Sequence, residues 1–293
     1  MTRLVVIAGP TAAGKSAAAM RVANAVGGEI INADSVQLYR HFDIGSAKPT
    51  TEMRKAVPHH LIDILDPNQP FSLWDYNHSA RSAIANVASR GKLPILCGGT
   101  GLYIKAVLED LKGGARPDEA LRAELSSLSN EELFSRLQNL NPLAAEKIHP
   151  NDTYRLLRGV ENASIPQPAP VKKGSEFNAT YFVLSSSKTV IYERIGARVD
   201  KMFSAGWINE TRAILETGFS PDCKPFKSVG YRQIVEHLSG RLSYDKLTEE
   251  VKKVTRNYAK RQMTWFYAVN GTVRLEADEK AANIIINKLE ECK

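Results

Sequence analysis

Eight residues near the start of the chain, Gly9-Pro10-Thr11-Ala12-Ala13-Gly14-Lys15-Ser16, have the types and spacing needed to hold a phosphate. They match the G-x-x-x-x-G-K-[ST] pattern of a P-loop. Glycines let the backbone fold closely around an anion with its N–H groups turned inward. Lys15 supplies a mobile positive charge, and the hydroxyl of Ser16 can ligate Mg²⁺. A glycine turn with a chance lysine would fit the same eight letters. It would not require the apolar, β-branched run Leu4-Val5-Val6-Ile7 before them, nor the helical stretch 17–26 that follows and stops at Gly27-Gly28. The helix adds the positive end of its dipole to the loop.

Two further positions fall where such a ligand would lie. Asp34 follows the short strand 29–33, and a carboxylate just past the C-terminal end of a strand in an α/β sheet faces the ligand side. Asp34 could equally cap a helix starting at Ser35. Gly98-Gly99-Thr100-Gly101 follows the strand 93–97 and predicts a second loop approaching the same ligand, with Thr100 exposed at the strand end.

Other groups are less specific. His59 and His60 are adjacent in what reads as a buried strand, so they point to opposite faces and do not suit one metal ion. Arg155 and Arg158 share a helix face, where surface salt bridging competes with a binding role. In the helix 245–266, Leu247, Val251, Val254 and Tyr258 form one stripe. Lys252, Lys253, Arg256 and Lys260 lie opposite, and Arg261 and Gln262 flank the apolar side. A basic face of this kind is either merely solvated or meets a polyanion. Cys97, Cys223 and Cys292 form no C-x-x-C pair, so neither a zinc site nor a disulfide framework is suggested.

The elements that must position these residues spell an α/β protein. Strands are expected at 4–8, 29–33, 60–65, 93–97 and 180–184, with helices at 17–26, 72–90 and 102–111 between them. Gly113-Gly114 marks a break, and 117–162 is wholly helical. A proline- and lysine-rich loop is expected at 165–178, and helical segments return from 191 onward. The expectation is a P-loop NTPase or kinase-like core with a parallel sheet and an inserted helical subdomain. The core's first part is 1–112, the mainly helical insertion is 113–178, and 179–293 returns to the core. The 293 residues carry a net charge of +7, a moderate basic bias compatible with nucleic acid. Met1-Thr2-Arg3 runs straight into the first strand, and no apolar run approaches the roughly 20 residues that span a bilayer. A cytoplasmic, reduced, membrane-free setting is expected.

Taken together, the motifs resemble those of the tRNA dimethylallyltransferases, also called tRNA isopentenyltransferases, in their bacterial form. The matching stretches are GPTAAGKS (9–16), ADSVQLYR (33–40), DIGSAKP (43–49), PHHLIDI (58–64) and GGTGLYI (98–104). HPNDTYRLLRGVE (149–161), GYRQ (230–233) and AKRQMTWF (259–266) complete the set, which spans nearly the whole chain. Residues 164–177 lack the glycine-bearing sequence usual after RGVE, and the bacterial form, without the zinc-binding C-terminal extension of eukaryotic members, is expected.

The resemblance implies transfer of a dimethylallyl group from dimethylallyl diphosphate to N6 of the adenosine 3′ of the anticodon, in tRNAs that read codons starting with U. Mg²⁺ assists, at Ser16. It implies a prenyl-donor role for Gly9 to Ser16, a diphosphate contact for Thr11 and Arg232, and a proton acceptor in Asp34. Asp34, Ser35, Val36 and Gln37 correspond to the segment that meets the base, with Thr100 beside it. The resemblance also implies a channel that the base enters from the side opposite the diphosphate. Arg155 and Arg158 correspond to tRNA-contacting positions. Lys253, Arg256, Lys260, Arg261 and Gln262 lie on the helix expected to meet the tRNA, whose basic face would meet backbone phosphates. A monomer working on the anticodon stem-loop is expected. The rivals are an ATP-binding nucleotide or small-molecule kinase, which shares the loop but leaves AKRQMTWF unexplained, and a non-catalytic RNA-binding protein, which leaves Asp34 and the complete P-loop unexplained.

Overall fold

The computed structural model of the chain describes residues 1–111, 118–164 and 176–291. Six parallel strands make its sheet: β1 (Thr2–Ala8), β2 (Gly28–Asn32), β3 (His59–His60), β4 (Leu93–Gly98), β5 (Phe177–Ser185) and β6 (Val273–Glu276). Their order is β3-β2-β4-β1-β5-β6. The central strand β1 is buried throughout Leu4 to Ala8. That explains its unbroken apolar run, since a parallel strand covered on both faces has no polar side. It pairs with β4 as far as Ala8↔Gly98 and with β5 as far as Ala8↔Val183.

The helices are α1 (Lys15–Val26), α2 (Thr51–Ala56), α3 (Leu73–Ser89), α4 (Gly101–Glu109), α5 (Glu119–Ser126), α6 (Asn130–Leu140), α7 (Pro142–Ala145), α8 (Thr153–Ser164), α9 (Lys188–Ser204), α10 (Trp207–Glu216), α11 (Tyr231–Leu238), α12 (Tyr244–Tyr267) and α13 (Ala281–Glu290). The chain divides into two compact units, Met1–Leu111 with Ser175–Lys293, and Lys112–Gly174. The first holds the sheet. The second has its own small core of Leu125, Leu133, Leu137, Ala145, Leu156 and Val160. In it Gly159 lets α8 approach α6, because a Cβ there would meet Leu137 Cδ2 at 2.8 Å. Glu161, 1% exposed, accepts Arg122 Nε at 2.8 Å and pairs with Arg158.

Three expectations need correction. The strand foreseen at 60–65 is two residues long, His59–His60. The chain leaves the sheet because Leu61 (φ 62°) and Asp63 (φ 56°) adopt left-handed backbone. Asp63 then pairs with Lys48 at 2.5 Å and Arg54 at 2.6 Å. The two histidines take separate partners, His59 Nδ1 the Val57 carbonyl and His60 Nε2 the Glu29 carboxylate, each at 2.7 Å. The loop foreseen at 165–178 ends early, since Phe177 and Asn178 already pair with Thr2 and Arg3; residues 165–175 lie outside the described residues. No helix starts at Ser35.

Candidate active site

Beyond β1 the chain turns into the phosphate loop. Gly9 has φ 146°, and a Cβ on it would meet the Leu184 carbonyl oxygen at 2.1 Å, so only glycine lets the loop leave the sheet beside β5. Ala12 (φ 64°) and Gly14 (φ 73°) continue the wrap. Gly14 caps α1 without a side chain, which leaves the first-turn N–H groups of α1 uncapped by any side chain. Pro10 supplies a carbonyl that accepts Lys15 Nζ at 2.7 Å. Ala13 is buried beneath the loop. Burial lowers the Lys15 pKa to about 8; Arg198 acts in the same direction, while Cys97 and Asp34 oppose it. Ser16 is exposed toward the cavity described below.

The end of β2 presents Asp34 through a set of local bonds. Asn32 Oδ1 accepts the Asp34 N–H at 3.0 Å, and Asn32 Nδ2 donates to the carbonyls of Asp34 (3.1 Å) and Leu61 (3.0 Å). The Tyr76 hydroxyl donates to the Asn32 carbonyl at 2.9 Å. Asp34 Oδ1 accepts the N–H groups of Val36 at 2.8 Å and Gln37 at 3.4 Å. The carboxylate therefore caps a turn instead of a helix, and it also faces the ligand side. From the next strand, Thr100 accepts the Ser35 N–H at 3.3 Å on Oγ1 and donates its own N–H to Ala33 at 3.0 Å. Gly98 permits this approach, since a Cβ there would meet the Ala33 carbonyl oxygen at 2.1 Å.

These loops border one cavity of about 340 Å³ that Thr11, Lys15, Ser16, Asp34, Ser35, Val36 and Gln37 line together. α9 also walls it, with Ile195, Arg198, Val199 and Met202 at helical spacing on one face. The sequence alone gives Arg198 no role, although its place inside an apolar stripe is the signal that marks it. Burial lowers its pKa and Asp34 is the anionic group that counters this. Trp207, also on the wall and buried, lies between two glycines. A Cβ on Gly45 or Gly230 would meet its indole at 2.0 Å.

Several expected positions take other places. Arg232 does not line the cavity; its side chain is 67% exposed and its Nε pairs with Glu236 at 2.9 Å. The reason is helical phase: α11 buries Tyr231, Gln233 and Ile234, and Arg232 lies between them on the outer side. Gln37 lines the cavity, yet its Nε2 donates to the Ser46 carbonyl at 3.0 Å. Gln262 is no surface contact. It is 7% exposed, its Oε1 accepts the Thr11 N–H at 2.8 Å, and its Nε2 donates to the Gly99 carbonyl at 2.8 Å.

On α12 the buried residues are Leu247, Val251, Ala259, Gln262 and Phe266. Lys252 is drawn off the outer face, 17% exposed and 2.9 Å from Asp200. Lys253 stays exposed and pairs with Glu250 at 3.1 Å. Arg256 is half-buried, Lys260 is exposed, and Arg261 borders the cavity over the Tyr258 ring at 5.7 Å. Arg155 and Arg158 belong to the second unit. Arg155 is 69% exposed and 3.4 Å from Asp152, whereas Arg158 is tied to the buried Glu161.

Among the described residues no group of three His, Cys, Asp or Glu side chains could hold a metal ion. A divalent ion at Ser16 fits the chemistry of a hard oxygen donor beside a phosphate loop, with the ligand's own oxygens completing its shell.

The family model of the IPP transferases matches residues 37–268, and that of the isopentenyl transferases matches residues 2–63. A tRNA dimethylallyltransferase of Pelobacter propionicus is 41% identical over 296 residues, covering 97% of this chain and 96% of the relative. One from Syntrophobacter fumaroxidans is 44% identical, covering 90% of this chain and 81% of its own. The structure is also similar to that of the tRNA isopentenylpyrophosphate transferase of Bacillus halodurans. Its TM-score is 0.75 at 37% identity, covering 99% of this chain and 98% of the other. With the phosphate loop, the Asp34 turn and these matches in agreement along nearly its whole length, the chain belongs to the tRNA dimethylallyltransferase family.

Proposed function

We propose that the chain transfers a dimethylallyl group from dimethylallyl diphosphate to the exocyclic N6 of the adenosine 3′-adjacent to the anticodon, in tRNAs reading codons that start with U. The single observation that carries the mechanism is that Lys15, Ser16 and Arg198 share one cavity with Asp34. Cations and loop N–H groups at one place, and a carboxylate near them, suit a reaction in which an anion leaves while an amine loses a proton.

In that reaction the allylic C1–O bond breaks, the C1–N6 bond forms, diphosphate departs, and the N6 proton passes to the Asp34 carboxylate. Lys15, Arg198 and the N–H groups at the start of α1 hold the diphosphate and stabilise the charge it gains. Ser16 would ligate Mg²⁺, which when bound offsets further negative charge on the leaving group. Ile195, Val199 and Met202 offer the five-carbon chain an apolar wall. Asp34 acts as general base on an amine of low nucleophilicity. The base must leave its stack to reach the carboxylate, which costs a few kcal/mol. The half-buried Arg256 and the exposed Lys260 and Arg261 on α12, together with Arg155 on α8, supply cations for the RNA backbone. No helix among the described residues is long and apolar enough to cross a membrane, and the proposed setting is the cytoplasm, where the tRNA is.

Incubation with dimethylallyl diphosphate, Mg²⁺ and unmodified tRNA, followed by mass spectrometry of the nucleosides, tests the reading. An N6-prenylated adenosine is expected. Phosphorylation of a small acceptor by ATP without any prenylated nucleoside would favour the kinase instead.

A further inference from the structure

The two loops that carry the proposed chemistry leave adjacent strands. Parallel pairing of β1 with β4 ends at Ala8↔Gly98, and beyond that rung the phosphate loop and the Thr100 loop have no backbone ladder between them. A side chain from the far end of the sequence fills the gap. Gln262 accepts the Thr11 N–H at 2.8 Å and donates to the Gly99 carbonyl at 2.8 Å. A primary carboxamide is the side-chain equivalent of a peptide unit, with one acceptor and a donor, so it serves as the next rung. Gly99 is built for it, because a Cβ there would meet Gln262 Nε2 at 2.5 Å. The residue after Gly99 is Thr100, which holds the Ser35 N–H and so the Asp34 turn.

We propose that Gln262 is a positioning residue that sets the register between the donor loop and the acceptor loop. It touches neither reacting atom. It fixes Thr11 and Thr100 relative to each other, and α12, which also carries Lys260 and Arg261, is thereby fastened to both. Donor and acceptor are then held in one geometry only while its hydrogen bonds to Thr11 and Gly99 are made. The inference rests on the prenyl-transfer reading and adds to it a role for a residue that the sequence alone assigns to RNA contact.

The experiment compares the wild type with Gln262→Met and Gln262→Glu in single turnover, with both substrates saturating, alongside tRNA titrations and thermal melts. Methionine keeps length and bulk but makes neither bond. A misplacement on this scale should lower the saturated rate by about 10- to 100-fold and leave tRNA affinity unchanged. Glutamate retains an acceptor for Thr11 but, when ionised, opposes the Gly99 carbonyl. Protonated, it is nearly isosteric with glutamine and restores the donor. The rate of Gln262→Glu relative to wild type should therefore recover as pH falls from about 8.5 to about 6, because burial raises a carboxyl pKa. A residue that merely filled space would leave Gln262→Met at the wild-type rate.

A wild-type saturated rate in Gln262→Met overturns the proposal, as does weaker tRNA binding with an unchanged saturated rate. If Gln262→Met gives no cooperative melt, Gly99→Ala strikes the same tie from the other side and must show the same loss of rate at unchanged tRNA affinity. Failure of the wild type to prenylate tRNA would count against the reading of function, and is seen before any variant is made.

Discussion

Asp34 Oδ1 accepts the Val36 N–H at 2.8 Å, so the carboxylate proposed as the base already uses one oxygen to shape its own turn. Among the described residues, its Oδ2 takes no hydrogen bond and is free to receive a proton. The two roles can be separated. Asn keeps an Oδ1 acceptor for Val36 but is not basic. Asp34→Asn should preserve the fold and the affinity for dimethylallyl diphosphate, and lower the single-turnover rate with tRNA by about 10² to 10⁴-fold. Asp34→Ala loses the turn as well and should also weaken tRNA binding. A normal rate in Asp34→Asn would reduce Asp34 to its turn.

Lys15 gives the donor site a pH dependence with a definite sign. In the free protein burial has lowered its pKa to about 8, so above that pH Lys15 loses its charge. A bound diphosphate favours the ammonium form, and binding there takes up a proton. Affinity for dimethylallyl diphosphate should be level below about 8 and fall by up to about tenfold per pH unit above it. Calorimetry in two buffers of different ionisation enthalpy reads the proton directly. For folding the sign is opposite. The cost of the buried cation is present in full below about 8 and is relieved as pH rises toward the ordinary 10.5. Lys15→Ala should lower turnover sharply and leave tRNA affinity intact.

Much of this site is legible in the sequence because short motifs carry it. The phosphate loop, the carboxylate at a strand end and the second glycine loop are each set by local backbone needs, and strands β1 and β4 by unbroken apolar runs. What escapes local reading depends on phase and on distant partners. Arg232 sits in a matching motif, yet α11 turns it outward to Glu236, while Arg198 enters the cavity because α9 shows that face to it. Gln262 looks like a polar residue flanking an apolar stripe. Only the fold reveals that its partners are Thr11 and Gly99, 251 and 163 residues away. The strand at 60–65 failed for a similar reason: its apolar letters are real, but Asp63 is claimed by Lys48 and Arg54.

The basic residues of α12 should not contribute equally to RNA binding. Lys252 is held by Asp200 and Glu249, and Lys253 is partly offset by Glu250. Lys260 is exposed and has no carboxylate within salt-bridge distance among the described residues. Lys260→Ala should reduce the slope of log affinity against log salt by roughly 0.7 to 0.9, the effect of one phosphate contact. Lys253→Ala should change it by less, because Glu250 already screens that charge. Equal slopes for wild type and Lys260→Ala would place the lysine on a merely solvated face.

The two arginines of α8 should behave as differently as their surroundings. Arg158 and Arg122 both hold Glu161. Burial alone would raise the carboxyl pKa, but the hydrogen bonds from the two guanidinium groups outweigh it and keep it below its ordinary value. A depressed carboxylate stabilises the fold above its unfolded pKa, and that contribution is lost as pH falls through the folded value. Arg158→Ala leaves a buried carboxylate with one partner. It should destabilise the second unit by about 1–3 kcal/mol near neutral pH and make its acid dependence shallower, since Glu161 then has less to lose. Arg155, 69% exposed and loosely paired with Asp152, should change stability by no more than about 0.5 kcal/mol when truncated. If it contacts RNA, its loss appears in the salt slope instead. Hydrogen exchange of the α5, α6 and α8 amides separates the two. Faster exchange in Arg158→Ala alone, with a reduced salt slope in Arg155→Ala alone, assigns the first arginine to the core and the second to the substrate. The reverse pattern would exchange those roles.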